Sequence, residues 1–416
     1  LRVIRKYQQY TGKQMLYVIR RNITDNNKIV TMKILIISSL LILTMFVSCN
    51  IQTNNNENKT IEGLPLIKAN STQVDIKDGN NLQKNAWRIA PEANPDVYKT
   101  SSKKVTFYTD VDSITFDIKP NGQYDFVILL NGKDSANTRI EWEPSKLEIL
   151  QKAEAYNYTD NRFIPEFTYQ SQDTPNLVNT RKDLKLDSIA GNGSELSQIF
   201  NLLHWVHNIV KHDGNSNNPQ NKNAIDLINV CKTENRGVNC RMMATMLNEC
   251  YLSMGIKSRY ITCMPKDRQD PDCHVINMIY SKELNKWIWI DPTFDAYVMD
   301  DKGNLLGIQE VRERLIGGQP LVLNADANWN RTSLQTKEHY LEYYMAKNLY
   351  RLETPLVSEY NTETWGNGKE VTYVELLPLD DTEQTPQKKE TINNKTGTKF
   401  VNYKTNNPDI FWANPE

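Results

Sequence analysis

Residues 237–250 read GVNCRMMATMLNEC. Asn239 is a favoured N-cap type, because its short polar side chain accepts a hydrogen bond from a backbone N–H that the helix leaves unpaired. Cys240 then falls in the first turn. Met243, Leu247, Cys250 and Met254 recur at helical spacing and form one apolar stripe, and Gly255 stands where a left-handed C-cap ends a helix. The spacing therefore predicts a helix from Cys240 to about Met254. A thiol at its start sits among free N–H groups at the positive end of the helix dipole, which favour an anion. With an imidazolium beside it, such a cysteine titrates at ~3.5–7.5 rather than ~8.5. Cys240 also lies on the apolar stripe, so a small buried hydrophobe capping the core face is the simpler account of this segment alone.

The segments that follow change the balance. Strand-like runs occupy 258–263, 273–280 and 286–290, and helix followed by sheet in one domain reads as α+β. His274 opens the second run, and KWIWIDPT (286–293) closes the third at Asp291, where Pro292 forbids further pairing. Residues 281–285 are short enough to join the two as a hairpin. If Tyr280 opposes Asn285 or Lys286, His274 falls opposite or diagonal to Asp291, and opposed side chains approach to ~4.5–5.5 Å between Cβ atoms. Each residue taken singly has a plainer account, His274 as a satisfied core histidine and Asp291 as a strand-end turn former.

Upstream, Leu196, Ile199, Leu203, Val206 and Val210 give a helix over 195–210, ended by Asp213-Gly214. His204, His207 and His212 lie on or just beyond it and read as surface or packing residues. A further helix is expected over 338–349. Before the helices, Val105, Phe107, Ile114, Phe116, Ile118, Tyr124, Phe126, Ile128 and Leu130 alternate with period two, punctuated by Asn121-Gly122 and Asn131-Gly132 as hairpin turns. This is a small antiparallel β domain, placed at 95–170. Asp110 and Asp134 sit at its turns, where Asp is common for backbone reasons, and take no catalytic role. The second domain is placed at 185–300, followed by an extension over 301–376 that packs on it. A polar loop or linker (377–399) and a short C-terminal segment (400–416) complete the chain, with Trp365 and Trp412 expected to pack on the second domain.

At the other end, Met32-Lys33 precedes fourteen apolar or small hydroxyl residues, ILIISSLLILTMFV (34–47), and then Ser48-Cys49. That run suits a signal-peptide core and is too short to cross ~30 Å of hydrocarbon. A cysteine at the cleavage point resembles the bacterial lipoprotein signal, which makes Cys49 the lipidated residue and ties the protein to a membrane, exported and facing the periplasm or the cell surface. An ordinary secretory signal with an incidental cysteine is the other reading. Residues 1–31 have no apolar run of their own and are read as upstream of the true start at Met32. Residues 50–85 are polar and Asn-rich, suited to a flexible tether.

Composition narrows the rest. Hydrophobic residues at 39% and charged residues at 24% mark a globular chain. Net charge is −1, from 49 basic and 50 acidic side chains, and no Lys/Arg stripe offers a footprint for nucleic acid. Besides Cys49 there are five cysteines, an odd number that leaves one thiol free. Cys263 with Cys273, and Cys231 with Cys250, could each close a bridge, and spacing settles neither. No C-x-x-C pair exists, so no metal site is expected, and no cofactor.

The elements G-V-N-C (237–240), M-G-I-K-S-R-Y (254–260), the His274 strand and W-I-W-I-D-P-T (287–293) together resemble the transglutaminase-like superfamily, a branch of the papain-like thiol enzymes. The order Cys, His, Asp fits, with His274 34 residues after Cys240 and Asp291 17 after His274. The helix around Trp205 and NAIDLIN (223–229) resemble its preceding elements, so the likeness covers about residues 190–300. At 275–276 Val-Ile stands where the family typically has Ala-Trp. The resemblance implies a papain-like core in which a helix start carrying the cysteine packs on an antiparallel sheet. It implies Cys240 as nucleophile, His274 as the proton carrier and Asp291 as the group that orients the imidazole. An oxyanion would meet the Cys240 N–H and a Trp from upstream, here Trp205, although packing of a helix onto the core explains Trp205 more simply; Gln220 is a looser alternative. The implied reaction is thiol-dependent amide hydrolysis or acyl transfer on peptide or protein substrates, with hydrolysis favoured for a tethered exported protein. A noncatalytic surface-anchored binding protein on the same fold is the rival of another class, and a peptide N-glycanase-like amidase is a chemical neighbour.

Overall fold

The computed structural model of the chain describes residues 60–61 and 63–415. The expected signal segment, Cys49, residues 1–31 and the start of the tether lie outside them. Within the unit 1–66, Thr60 and Ile61 pair antiparallel with Pro65 and Leu64. The remaining description concerns the unit 67–416.

Its first part is a β module of two facing sheets. Strands β1 (Gln73–Asp78), β2 (Asn81–Arg88), β3 (Asp96–Thr100), β4 (Lys104–Tyr108), β5 (Ser113–Asp117), β6 (Gln123–Leu130) and β7 (Asp134–Trp142) are arranged as β2-β1-β4-β5 in one sheet and β6-β7-β3 in the other. Alternating inward residues build the core, among them Val74, Ile76, Val105, Phe107, Phe126, Ile128 and Ile140. Asn121, Asn131 and Gly132 turn the chain with φ of 59°, 52° and 67°, the left-handed region that Asn and Gly tolerate.

Three expectations change here. The tether predicted over 50–85 carries strands, since Thr60–Ile61, Leu64–Ala69, β1 and most of β2 fall inside it. Val74 and Ile76 are wholly buried while their neighbours are polar, so a half-wet strand reads in sequence as a polar linker. The module is not purely antiparallel, because β3 pairs with β7 in parallel. It also ends at Trp142 rather than 170: a short helix, Lys146–Gln151, follows, and its Leu150 enters the core of the second domain.

The second domain is α+β. Helices α1 (Glu195–Ile209), α2 (Ala224–Thr233) and α3 (Cys240–Ser253) precede strands β8 (Ser258–Met264), β9 (His274–Ser281) and β10 (Lys286–Ile290); helix α4 (Ile308–Ile316) and strands β11 (Arg351–Pro355), β12 (Glu370–Leu376), β13 (Lys388–Ile392) and β14 (Lys399–Thr405) follow. All seven strands form one sheet, ordered β10-β9-β8-β11-β12-β14-β13. On one face, Ile279 and Ile288 pack with the α1–α3 cluster of Val206, Met243 and Leu247. On the other, Ile276, Met278 and Trp289 pack with Val311 of α4 and with Tyr340. A sheet covered on both faces explains the near-continuous apolar runs of β9 and β10.

The expected extension (301–376), linker (377–399) and end segment (400–416) are therefore corrected. They supply β11, β12, β13 and β14 to the same sheet. β8 is buried at every position but Met264, and its backbone groups on the side away from β9 need the partner that β11 provides through pairs such as Cys263 with Leu352. β13 is exposed at all five positions on the sheet edge, so it carries no inward periodicity and resembles a linker.

Candidate active site

The chain reaches Cys240 by two neighbouring backbone segments. Val238 N–H donates to the Lys211 carbonyl (3.0 Å) and Asp213 N–H to the Val238 carbonyl (2.8 Å), which bridges His212 to Val238. A Cβ on Gly237 would stand 2.6 Å from the Lys211 oxygen, so only glycine lets the two segments close. Asn239 then caps α3, its side chain accepting from the Met242 N–H at 3.1 Å. Arg241 ties the first turn to the sheet, donating to Glu363 Oε1 (3.2 Å) and to Thr262 Oγ1 (3.1 Å). Cys240 thus sits at the helix start, partly exposed, against Ala244, Tyr260 and Val275.

The β9–β10 hairpin brings the other two residues. Tyr280 opposes Trp287 and Ser281 opposes Lys286, a register slightly later than expected, which places Asp291 diagonal to His274. Both are buried, and His274 Nε2 meets Asp291 Oδ2 at 2.7 Å. The other ring nitrogen, Nδ1, is buried without a hydrogen-bond partner, and the Cys240 sulfur lies near enough to help raise the ring's pKa. Phe294 and Tyr344 flank the imidazole with ring centroids 5.5 and 5.2 Å away, fixing its plane.

The chain of bonds continues past Asp291. Tyr340 Oη donates to Asp291 Oδ2 at 2.6 Å and itself receives the Trp289 indole N–H at 3.2 Å. Thr293 N–H donates to Asp291 Oδ1 at 2.8 Å. The carboxylate is held on both oxygens by donors, as a buried charge requires. Tyr340 and Tyr344 come from a π-helical stretch, Glu338–Met345, that continues into a short helix, Ala346–Asn348, where a regular helix was expected. Wide turns of this kind occur often at functional sites.

Electrostatics follow from these contacts. Burial pushes the Cys240 thiol up, but hydrogen bonds from His212 and His274 and the positive charge of the His274 ring outweigh it, and the thiol comes down to about 6. Burial pushes His274 down, and the charge and hydrogen bond of Asp291, with the Cys240 sulfur, carry it up to about 10. Thiolate and imidazolium therefore coexist between these two values. The four other described cysteines, Cys231, Cys250, Cys263 and Cys273, are free thiols, each raised mainly by burial. Neither contemplated disulfide is formed.

The sequence-predicted residues divide accordingly. Cys240, His274 and Asp291 meet. Trp205 packs, partly buried, against the helical cluster around α1, and Cys240 packs in a smaller cluster. Trp205 lies off the α1 apolar stripe. Gln220 is exposed in the loop before α2. The three upstream histidines are not idle surface. His204 Nδ1 lies 2.6 Å from Asp295 Oδ2, and His207 Nδ1 lies 3.0 Å from the Pro292 carbonyl, so α1 braces the turn that follows Asp291. His212 lies near enough to Cys240 to help lower its thiol. Tyr340 and His212 carry no local motif; only the fold brings them in. Among the described residues no group of three His, Cys, Asp or Glu side chains could hold a metal ion.

Residues 182–292, which take in all three meeting side chains, match the family model of the transglutaminase-like superfamily. This stretch is a transglutaminase-like domain. A solved protein from Cytophaga hutchinsonii, named as a candidate cysteine protease, aligns with the chain at 24% identity over 28% of this chain and 37% of its own, with a TM-score of 0.23. The chain thus spans well under half the length of that relative. No curated protein matches the sequence. The transglutaminase-like domain is only part of the sheet it sits in, since β11 to β14 lie beyond the matched stretch.

Proposed function

We propose that the transglutaminase-like domain is a thiol-dependent amide hydrolase or acyl transferase acting on peptide or protein substrates through Cys240, His274 and Asp291. The observation that supports this best is the chain of hydrogen bonds from Tyr340 through Asp291 to His274, whose other ring nitrogen is left unpaired beside a sulfur at a helix start. The Cys240 thiolate attacks the amide carbonyl carbon, and the carbonyl electron pair moves onto oxygen. Collapse re-forms the carbonyl and breaks the C–N bond, with the amine leaving as it takes the His274 Nδ1 proton. The thioester is then resolved by water, whose proton returns to Nδ1, or by a second amine. Asp291 keeps the ring oriented and stabilises the imidazolium without itself taking the proton.

The test is intact-protein mass spectrometry after incubation with a peptide library, quenched in acid, with and without a free amine. An acyl adduct confined to Cys240, and absent from Cys240→Ala, is expected; its absence from the wild-type protein under turnover would sink the reading. Product mass then separates the two resolutions, because an amine leaves an amide where water leaves an acid.

The export reading rests on the apolar run at 34–47 followed by Cys49, and we propose a lipid anchor at Cys49. Expressed in a bacterial host with an alkyne fatty acid, the full chain is expected to carry label and to sediment with membranes, and Cys49→Ala to lose both. Unchanged sedimentation and labelling in that variant would contradict the anchor.

A further inference from the structure

An oxyanion formed here needs a donor besides the Cys240 backbone N–H, and Trp205 packs against the helical cluster around α1. His212 is the histidine bridged to the segment that leads into Cys240. His212 is held on three sides: Asn330 Oδ1 accepts from the His212 N–H (2.7 Å), Asn330 Nδ2 donates to its carbonyl (2.9 Å), and the Trp329 indole N–H donates to its Nδ1 (3.1 Å). An indole nitrogen can only donate. Nδ1 therefore carries no proton, and the ring hydrogen sits on Nε2. The bridge to Val238 sets the His212 backbone beside the chain two residues before the nucleophile, Gly237 permits that closeness, and the ring is near enough to bond the Cys240 sulfur.

We infer that His212 Nε2–H is the second oxyanion donor of the site, its tautomer set by Trp329, so that it bonds the Cys240 thiolate at rest and the carbonyl oxygen once the C–S bond has formed. The inference rests on the acyl-transfer reading above. At rest the negative charge is on sulfur, and an N–H beside it lowers the thiol, as the contact between His212 and Cys240 does. On attack the charge moves one bond away, to the oxygen on the carbon that sulfur has just joined. A donor already placed beside the sulfur needs only a small swing to follow it, and no proton changes owner. His212 is half-buried and Trp329 is 40% exposed, so the pair is open to solvent on one side.

Two reagents separate this role from thiolate activation. p-Nitrophenyl acetate acylates through a tetrahedral oxyanion; iodoacetamide alkylates by displacement at a saturated carbon and forms none. Both rates are taken on the plateau, at a pH where the thiolate is fully formed. Losing one oxyanion donor costs about 10²–10³-fold, so His212→Ala is expected to lose about that in acylation of Cys240 while alkylation changes by less than about threefold. His212→Gln keeps an N–H and is expected to recover most of the loss, and Trp329→Phe, which frees Nδ1 to take the proton, is expected to fall between. Acylation unchanged in His212→Ala, or alkylation falling in step with acylation, overturns the proposal alone. Wild-type protein that alkylates at Cys240 but takes no acyl group overturns the enzymatic reading and this proposal with it.

Discussion

Asp291→Asn is expected to cost about 10⁴-fold in acyl transfer, the scale at which a wrong imidazole tautomer acts in a triad. The reason lies in who bonds the two oxygens. The Thr293 N–H points at Oδ1 (2.8 Å), and a donor there demands an oxygen, so the asparagine must place its NH₂ at the Oδ2 position. That NH₂ then donates to His274 Nε2, where the wild-type ring N–H donates to the carboxylate at 2.7 Å. The ring hydrogen is driven to Nδ1, toward the sulfur, and the base can no longer accept the thiol proton. Tyr340 Oη can rotate to accept, so the fold survives. The checks are the p-nitrophenyl acetate rate and the alkylation profile, which is expected to shift upward toward an ordinary thiol. A rate within tenfold of wild type would show that Asp291 does not set the tautomer.

His274→Ala removes the proton carrier itself and is expected to lower acyl transfer by at least ~10²–10⁴-fold, the usual contribution of positioned proton transfer. It acts on stability too. Asp291 is wholly buried, and losing its cationic partner leaves a buried charge supported only by Tyr340 and Thr293; breaking such a pair costs about 3–5 kcal/mol. Urea unfolding should register that loss alongside the kinetic one. His274→Gln, which keeps a donor toward Asp291, is expected to regain part of the stability and none of the rate. Equal stability of His274→Ala and wild type would mean the ion pair is not buried as described.

The core of the site was legible because its three residues lie on contiguous elements: a capped helix start, a strand start, and a strand end closed by Pro292. What surrounds them was not. Tyr340 reaches Asp291 from 49 residues away, on a π-helical stretch whose sequence, EHYLEYYM, looks like any amphipathic helix. His212 lies just past the end of α1 and gains its meaning only when the Val238 segment folds against it. Trp205 was assigned by resemblance, and it packs, partly buried, against the helical cluster around α1. In the fold, β8 to β10 announced themselves through continuous apolar runs. β12 and β14 did not, because they pair in parallel across a long polar excursion ending in the wholly exposed β13. A strand with one wet face, such as β1 with Val74 and Ile76 among polar neighbours, is likewise hard to tell from a tether.

Every step assigned to the site requires that Cys240 be ionised beside a protonated His274. The pH dependence of iodoacetamide alkylation at Cys240 measures this directly, read by peptide mass so that the other thiols do not contribute. Because the folded thiol lies below its ordinary value, reactivity should rise as pH passes about 6 and hold level until His274 loses its proton near 10. A single rise centred near ~8.5, where an unperturbed cysteine titrates, would mean that no ion pair exists and that the site is not built for acyl transfer.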